Sequence, residues 1–128
     1  MKELRRKIEN DPYLKFLGIK LKELNDGFAL CTLTLTPDMI NFMGVPHGGL
    51  IFSLADAALS AASNSEHYPS YAINISGSFL ARVKIGDELV STSKRIYQTR
   101  KTALYEMNVF HGENLIATFN GTVYRSHS

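Results

Sequence analysis

Apolar and polar positions along this chain fall into blocks with two different periods. Over residues 2–16, Leu4 and Ile8 recur four apart, the spacing of one helix face. Tyr13, Leu14, Phe16 and Leu17 form a second apolar group beyond Asp11-Pro12. This predicts an amphipathic helix, interrupted at the proline and lying as a flap on a domain edge. From Gly18 the period becomes two. Ile19, Leu21 and Glu23 alternate with Lys20 and Lys22, as in a half-buried strand. Asn25-Asp26-Gly27 is a turn signal, so the next run makes a hairpin with the first. That run, residues 28–36, puts Ala29, Cys31, Leu33 and Leu35 on one face, and Pro37 ends it. Residues 47–64 are apolar on nearly every side and predict a buried helix.

After a loop around His67-Tyr68-Pro69, four more strand-like runs follow. Tyr71, Ile73, Ile75 and Phe79 alternate in the first, and residues 88–98 form the second, after a turn at Ile85-Gly86-Asp87. Ala103, Tyr105, Met107 and Val109 line one face of the third. Leu115, Ala117, Phe119, Gly121 and Val123 line one face of the last, after the turn at residues 111–114. Short turns between strands favour antiparallel pairing. Strands on both sides of one long apolar helix predict a single curved sheet wrapped around it, an α+β arrangement. With 128 residues and no repeat, linker or low-complexity tract, residues 1–128 read as one domain.

Composition narrows the function classes. The formal net charge is +2 and the basic residues are scattered, which argues against a nucleic-acid partner. Cys31 is the only cysteine, so no intrachain disulfide can form, and a reducing cytoplasm is the expected compartment. The first 15 residues are charged throughout, so no secretory signal is expected. Ser60, Ser63 and Asn64 interrupt the longest apolar run, so no membrane span is expected.

The candidate chemistry lies between Asn41 and Asp56. Pro46 can precede a helix but not sit inside one. Gly48 and Gly49 open the helix, where a backbone without Cβ atoms can approach a ligand. Backbone N–H groups there lack intrahelical acceptors and carry the positive end of the helix dipole. Asp56 is a lone carboxylate within the apolar run, and an unpaired buried charge is costly. Asn41, Gly44, His47-Gly48-Gly49 and Leu54-Ala55-Asp56, in this spacing, resemble the signature of the hotdog-fold acyl-CoA thioesterases of the phenylacetic-acid-degradation type. Asp11-Pro12-Tyr13 through Leu17-Gly18-Ile19, and Phe79-Leu80 followed by Gly86-Asp87, are similar to that family's lead-in and mid-chain strand and turn.

The resemblance implies a hotdog fold and hydrolysis of an acyl-CoA thioester to a free acid and coenzyme A. By it, the Gly48 N–H stabilises the carbonyl oxygen, His47 shapes the site and Asn41 positions substrate or water. Gly49 lies beside them in the substrate site, and Asp56 is general base or nucleophile. Some members carry a Ser or Thr beside the carboxylate, for which Ser70 is the match here. The spacing adds one constraint. Gly48 and Asp56 are eight residues apart, roughly 12 Å along a helix axis. To act on one carbonyl they must come from different subunits, as a two-fold dimer allows. The family forms its sites this way and commonly pairs dimers into homotetramers.

Each residue also has a plainer reading. Asp56 can cap a backbone or pair with an arginine, His47 can be an ordinary helix-start residue, and Asn41 can satisfy a turn. Coenzyme A phosphates need cations, and Arg82, Lys84, Lys94, Arg95, Arg100, Lys101 and Arg125 are candidates, with Arg100-Lys101 at a hairpin foremost. Phe52, Tyr68, Tyr71 and Phe79 are acyl-pocket walls or core. Cys31 reads as core. His67, His111 and His127 show no ligand spacing, so neither a metal nor another cofactor is expected. The rival readings are a non-enzymatic acyl-CoA-binding or regulatory domain and a hotdog hydroxyacyl dehydratase.

Overall fold

The structure, a computed structural model, describes residues 1–66 and 68–127. The N-terminal helix is divided where the sequence predicts. α1 (Lys2–Glu9) is followed by α2 (Pro12–Leu17), and Asp11 caps α2 by accepting from the N–H groups of Tyr13 and Leu14 at 2.9 and 3.2 Å. Pro12, which has no N–H to satisfy, takes the first turn. Gly18 ends α2 in the left-handed region at φ 82. Leu14 is buried, and Leu4, Ile8 and Leu17 pack against the core. Tyr13 and Phe16, grouped with them by sequence, stay exposed. A six-residue helix turns only one narrow face inward.

β1 (Lys20–Asn25) and β2 (Phe28–Thr34) form the expected hairpin. Between Leu21 and Glu23 the register shifts, so Leu24 is buried where strict alternation would place Glu23. A short 3-10 turn (Pro37–Met39) leads to α3 (Gly48–Ser63), and then come β3 (Ser70–Phe79), β4 (Glu88–Gln98), β5 (Thr102–His111) and β6 (Asn114–Arg125). The six strands make one antiparallel sheet in the order β1-β2-β4-β5-β6-β3. α3 packs chiefly on β4, β2 and β5, so the curved sheet around one long helix is the arrangement observed. A second register shift, between Val109 and Phe110, buries Ile116 and leaves Leu115 exposed, against the sequence alternation.

Close contact between helix and sheet fixes several small residues. Ser91 on β4 donates its hydroxyl to the Leu54 carbonyl of α3 at 2.9 Å. A Cβ on Gly121 would stand 2.9 Å from Leu59 Cδ2, so β6 reaches α3 only because that position has no side chain. Asn64, the C-cap of α3, accepts from the Ser70 N–H and donates to the Ser70 carbonyl. At the other end of β3, Phe79 lies against Gly48. β3 therefore runs back along the full length of α3.

The two sheet edges differ. On β1 the Arg5 guanidinium of α1 donates to the carbonyls of Leu21 and Lys22 at 3.3 and 3.1 Å. On β3 no element among the described residues covers the outer edge. Tyr71, Ile73 and Phe79 are 59, 59 and 54% exposed, and only Ile75 of the expected alternating set packs on the core. α3 itself is not buried all round. Gly49, Phe52 and Ser60 are exposed and Ser53 and Asp56 half-buried, a stripe at three- and four-residue spacing that one chain's sheet does not reach.

Candidate active site

The site builds from the loop that enters α3. Asn41 folds that loop back on itself. Its Oδ1 accepts from the N–H groups of Met43 and Val45 at 2.9 and 3.3 Å, and its own N–H donates to the Val45 carbonyl at 2.8 Å. The turn reading of Asn41 is realised, and its Nδ2 has no partner among the described residues. Gly44 allows the reversal at φ 81. The His47 N–H donates to the Met39 carbonyl, and His47 is the N-cap of α3, with no cap bond from its side chain. The N–H groups of Leu50 and Ile51 return to the His47 carbonyl. Those of Gly48 and Gly49 have no acceptor among the described residues, so two donors point outward at the positive end of the helix.

Two clefts flank this helix start. Gly48 lines the first, of about 410 Å³, with Ile51, Phe79 and Val83 as apolar wall and Arg82 on its lining. Phe79 and Phe52 both stand edge-on to Phe119, with centroids 5.6 and 5.7 Å away. His47 and Gly49 line the second, of about 290 Å³, with Tyr13, Leu17 and Asp38. Tyr13 reaches from α2 to α3, its hydroxyl 3.0 Å from Ser53 Oγ, and Ser53 bonds the Gly49 carbonyl one turn back. Sequence grouped Tyr13 with the apolar residues of α2, and no local signal marks its contact with α3.

Asp56 lies two turns farther along the uncovered stripe. Its carboxylate has no hydrogen bond or ion pair among the described residues, so neither plain reading of it is realised within the chain. Burial pushes its pKa upward. Along α3 it stands roughly 12 Å from Gly48 and lines neither cleft. One chain thus brings together Asn41, His47, Gly48 and Gly49 at one end of α3 and leaves Asp56 apart.

Ser70, Arg100 and Lys101 stand at the other end of the helix. The Ser70 hydroxyl donates to the Tyr68 carbonyl, and Ser70 pairs with Arg125 across β6. The hairpin carrying Arg100 and Lys101 is tied to the C-terminal segment through Arg125 Nη1 on the Thr99 carbonyl and the Arg125 N–H on the Lys101 carbonyl. Both side chains are exposed. Two other cations proposed for phosphate are engaged. Glu66, which no motif marked, holds Arg125 at 2.6 Å and Arg95 at 3.1 Å, and Arg95 also pairs with Asp26. Cys31 is buried, its thiol pushed up to about 12 by burial, which makes it inert. His127 contacts the Arg100 carbonyl and His111 pairs with Asp87, while His67 lies outside the described residues. Among the described residues no three His, Cys, Asp or Glu are grouped as for a metal ion.

The signature of the thioesterase superfamily matches residues 43–118. The acyl-coenzyme A thioesterase PaaI of Escherichia coli is 35% identical over 118 residues, spanning 91% of this chain and 84% of that protein. The structure of the E. coli PaaI protein from the phenylacetic acid degradation operon superposes with a TM-score of 0.93 at 32% identity, covering 99% of this chain and 93% of that one. A variant of the phenylacetic acid degradation protein PaaI from Thermus thermophilus gives 0.88 at 30% identity, covering 91 and 100%.

Proposed function

This chain belongs to the thioesterase superfamily and is a thioester hydrolase on the hotdog fold, and from that premise we propose that it cleaves an acyl-coenzyme A to a free carboxylic acid and coenzyme A, with Asp56 of one subunit acting at the Gly48 end of another. Asp56 carries this reading. A half-buried carboxylate without a partner, on a stripe its own sheet leaves open, is what a chain retains when a second copy completes the surroundings. The E. coli relative named as an acyl-coenzyme A thioesterase supports the substrate class.

The pairing we propose is two-fold. The open β3 edge, with Tyr71, Ile73 and Phe79 exposed, lies along α3. A second copy meeting it edge to edge satisfies the unpaired backbone groups and covers the Phe52–Asp56 stripe at once. Antiparallel α3 helices then bring Asp56 of one chain toward Gly48 of the other. The end that carries Ser70, Arg100 and Lys101 faces the partner's helix start, where coenzyme A would pass. Further pairing of dimers, confinement of residues 1–128 to one domain and a cytoplasmic location are part of the same proposal. No helix among the described residues is long and apolar enough to cross a membrane.

In the reaction, the thioester oxygen lies at the N–H groups of Gly48 and Gly49. As charge develops on it, those fixed dipoles stabilise it without reorganising. As base, Asp56 takes a proton from a water whose oxygen bonds to the carbonyl carbon. The tetrahedral intermediate collapses, the C–S bond breaks and the thiolate of coenzyme A leaves and is protonated. As nucleophile, Asp56 would instead form an anhydride that water then opens. The apolar wall of Ile51, Phe79 and Val83 takes the acyl group. His47 and Asn41 hold the loop that presents the donors.

A thiol-release assay over short, medium, long and aromatic acyl-CoAs tests the proposal. Turnover that Asp56→Ala abolishes is expected, and full activity in that variant would reject it. A single turnover in heavy-oxygen water separates the two roles. Direct labelling of the acid identifies a base, whereas a nucleophile first delivers its own unlabelled oxygen.

A further inference from the structure

Among the described residues, Arg82 is the one cation lining the cleft that Gly48 opens into. It forms no ion pair or hydrogen bond among the described residues, whereas Arg95 and Arg125 are held by Glu66 and Arg5 by Glu9 and the β1 carbonyls. A guanidinium near the positive end of α3, beside apolar walls, has no structural anion to answer it. We propose that Arg82 determines specificity by reading the far end of the acyl group, and that preferred substrates carry a carboxylate there. This rests on Gly48 holding the thioester carbonyl.

Distance favours the acyl end over the phosphates. A space of 410 Å³ is about 9 Å across if compact. The pantetheine arm separates a thioester from the pyrophosphate by about four peptide lengths, roughly 14 Å when extended. Coenzyme A phosphates thus overshoot this cleft when the carbonyl sits at Gly48. A straight dicarboxylyl group of roughly six to eight carbons, built from bonds of about 1.5 Å, spans it instead. Its methylenes would lie on Ile51, Phe79 and Val83, and its terminal carboxylate would meet the planar donor fork of Arg82.

The test compares acyl-CoAs of equal length ending in a methyl or a carboxylate, each also supplied on pantetheine without phosphates. The wild-type chain is expected to prefer the carboxylate end by about ten-fold in kcat/KM, the scale of one charge-assisted pair at an exposed rim. Arg82→Gln should erase that preference through KM, on both carriers, leave methyl-ended substrates unchanged and keep the melting temperature. Arg82→Lys should recover part of the preference. An equal loss on every coenzyme A substrate that vanishes on pantetheine would assign Arg82 to phosphate and overturn the proposal. An equal fall in kcat on all substrates, or no change at all, would also overturn it. Should the wild-type chain cleave none of them, the acyl-CoA reading fails separately. Calorimetric binding of adipate to the wild-type chain and to Arg82→Gln then decides the question for Arg82, and equal affinity in the two proteins would overturn its role.

Discussion

Gly48 and Phe79 meet across the cleft at the head of α3, and a Cβ on Gly48 would lie 3.5 Å from the Phe79 ring, an ordinary van der Waals separation. Gly48 also needs no positive φ. The fold therefore tolerates alanine there, and any functional loss belongs to the cleft. Gly48→Ala should melt within about 2 °C of wild type and lose roughly 10- to 100-fold in kcat/KM as the methyl enters the space beside the proposed oxyanion donors. A melting curve beside a thiol-release assay checks both.

Asp56 couples activity and stability in opposite senses. Burial raises its carboxyl above the usual range, so its ionised form disfavours the folded chain. Stability is highest below the unfolded value, where the group is protonated in both states, and declines as pH rises through the folded value. Asp56→Asn should thus raise the neutral-pH melting temperature on the order of 3 °C, with the gain vanishing in acid. As the proposed base or nucleophile Asp56 would act in its ionised form, so kcat should fall as pH drops through that raised value. The variant itself should lose about 100- to 10,000-fold. Melting curves and a pH–rate profile report the two halves.

Glu66 serves stability rather than chemistry. It holds two largely covered guanidinium groups, Arg125 at 10% and Arg95 at 20% side-chain exposure. Glu66→Ala leaves both without their shared carboxylate and should destabilise by about 2–4 kcal/mol. Well below its melting temperature its KM should be unchanged. Urea denaturation alongside kinetics measures this.

Two glycines of the sheet should respond differently to alanine. At Gly121 the new Cβ meets the flexible ends of Leu59 and Met107, at 2.9 and 3.1 Å. The core can shift, at a cost of about 1–3 kcal/mol. At Gly77 it would stand 2.2 Å from the Thr118 carbonyl oxygen, which is backbone. Gly77→Ala should cost more than Gly121→Ala by denaturant midpoint, and equal midpoints would contradict this packing.

Ile73→Glu places a charge on the open β3 edge, next to the register shift between Ala72 and Asn74. If two chains join there, the variant should run as a monomer by light scattering and lose activity with its partner. A monomer that keeps full turnover would show that the site needs no second chain.

Much of this was legible in advance because period and punctuation were strong. Asp11-Pro12, Asp26-Gly27 and the Gly48–Ser63 helix stand where sequence places them. The failures come from bulges, which insert one residue and exchange inward for outward positions, as at Glu23/Leu24 and Leu115/Ile116. A bulge is set by cross-strand fit, which alternation along one strand does not record. The stripe on α3 was hidden because Gly49, Ser53 and Ser60 are small enough for either environment and Phe52 reads by type as core. At the site, the Asn41–Gly49 motif marked the helix start. It carried no information on Arg82, which reaches the cleft from the segment after β3.

Arg5 gives the sheet a direction. Its grip on the β1 backbone closes one border, while the β3 border stays open. If two copies join through β3, the borders left outside are the two β1 strands, each with carbonyls occupied by Arg5, so strand addition would terminate after a single event instead of running on into a fibre. Any larger assembly must then be built by stacking faces, with α1 serving as the stop on both flanks.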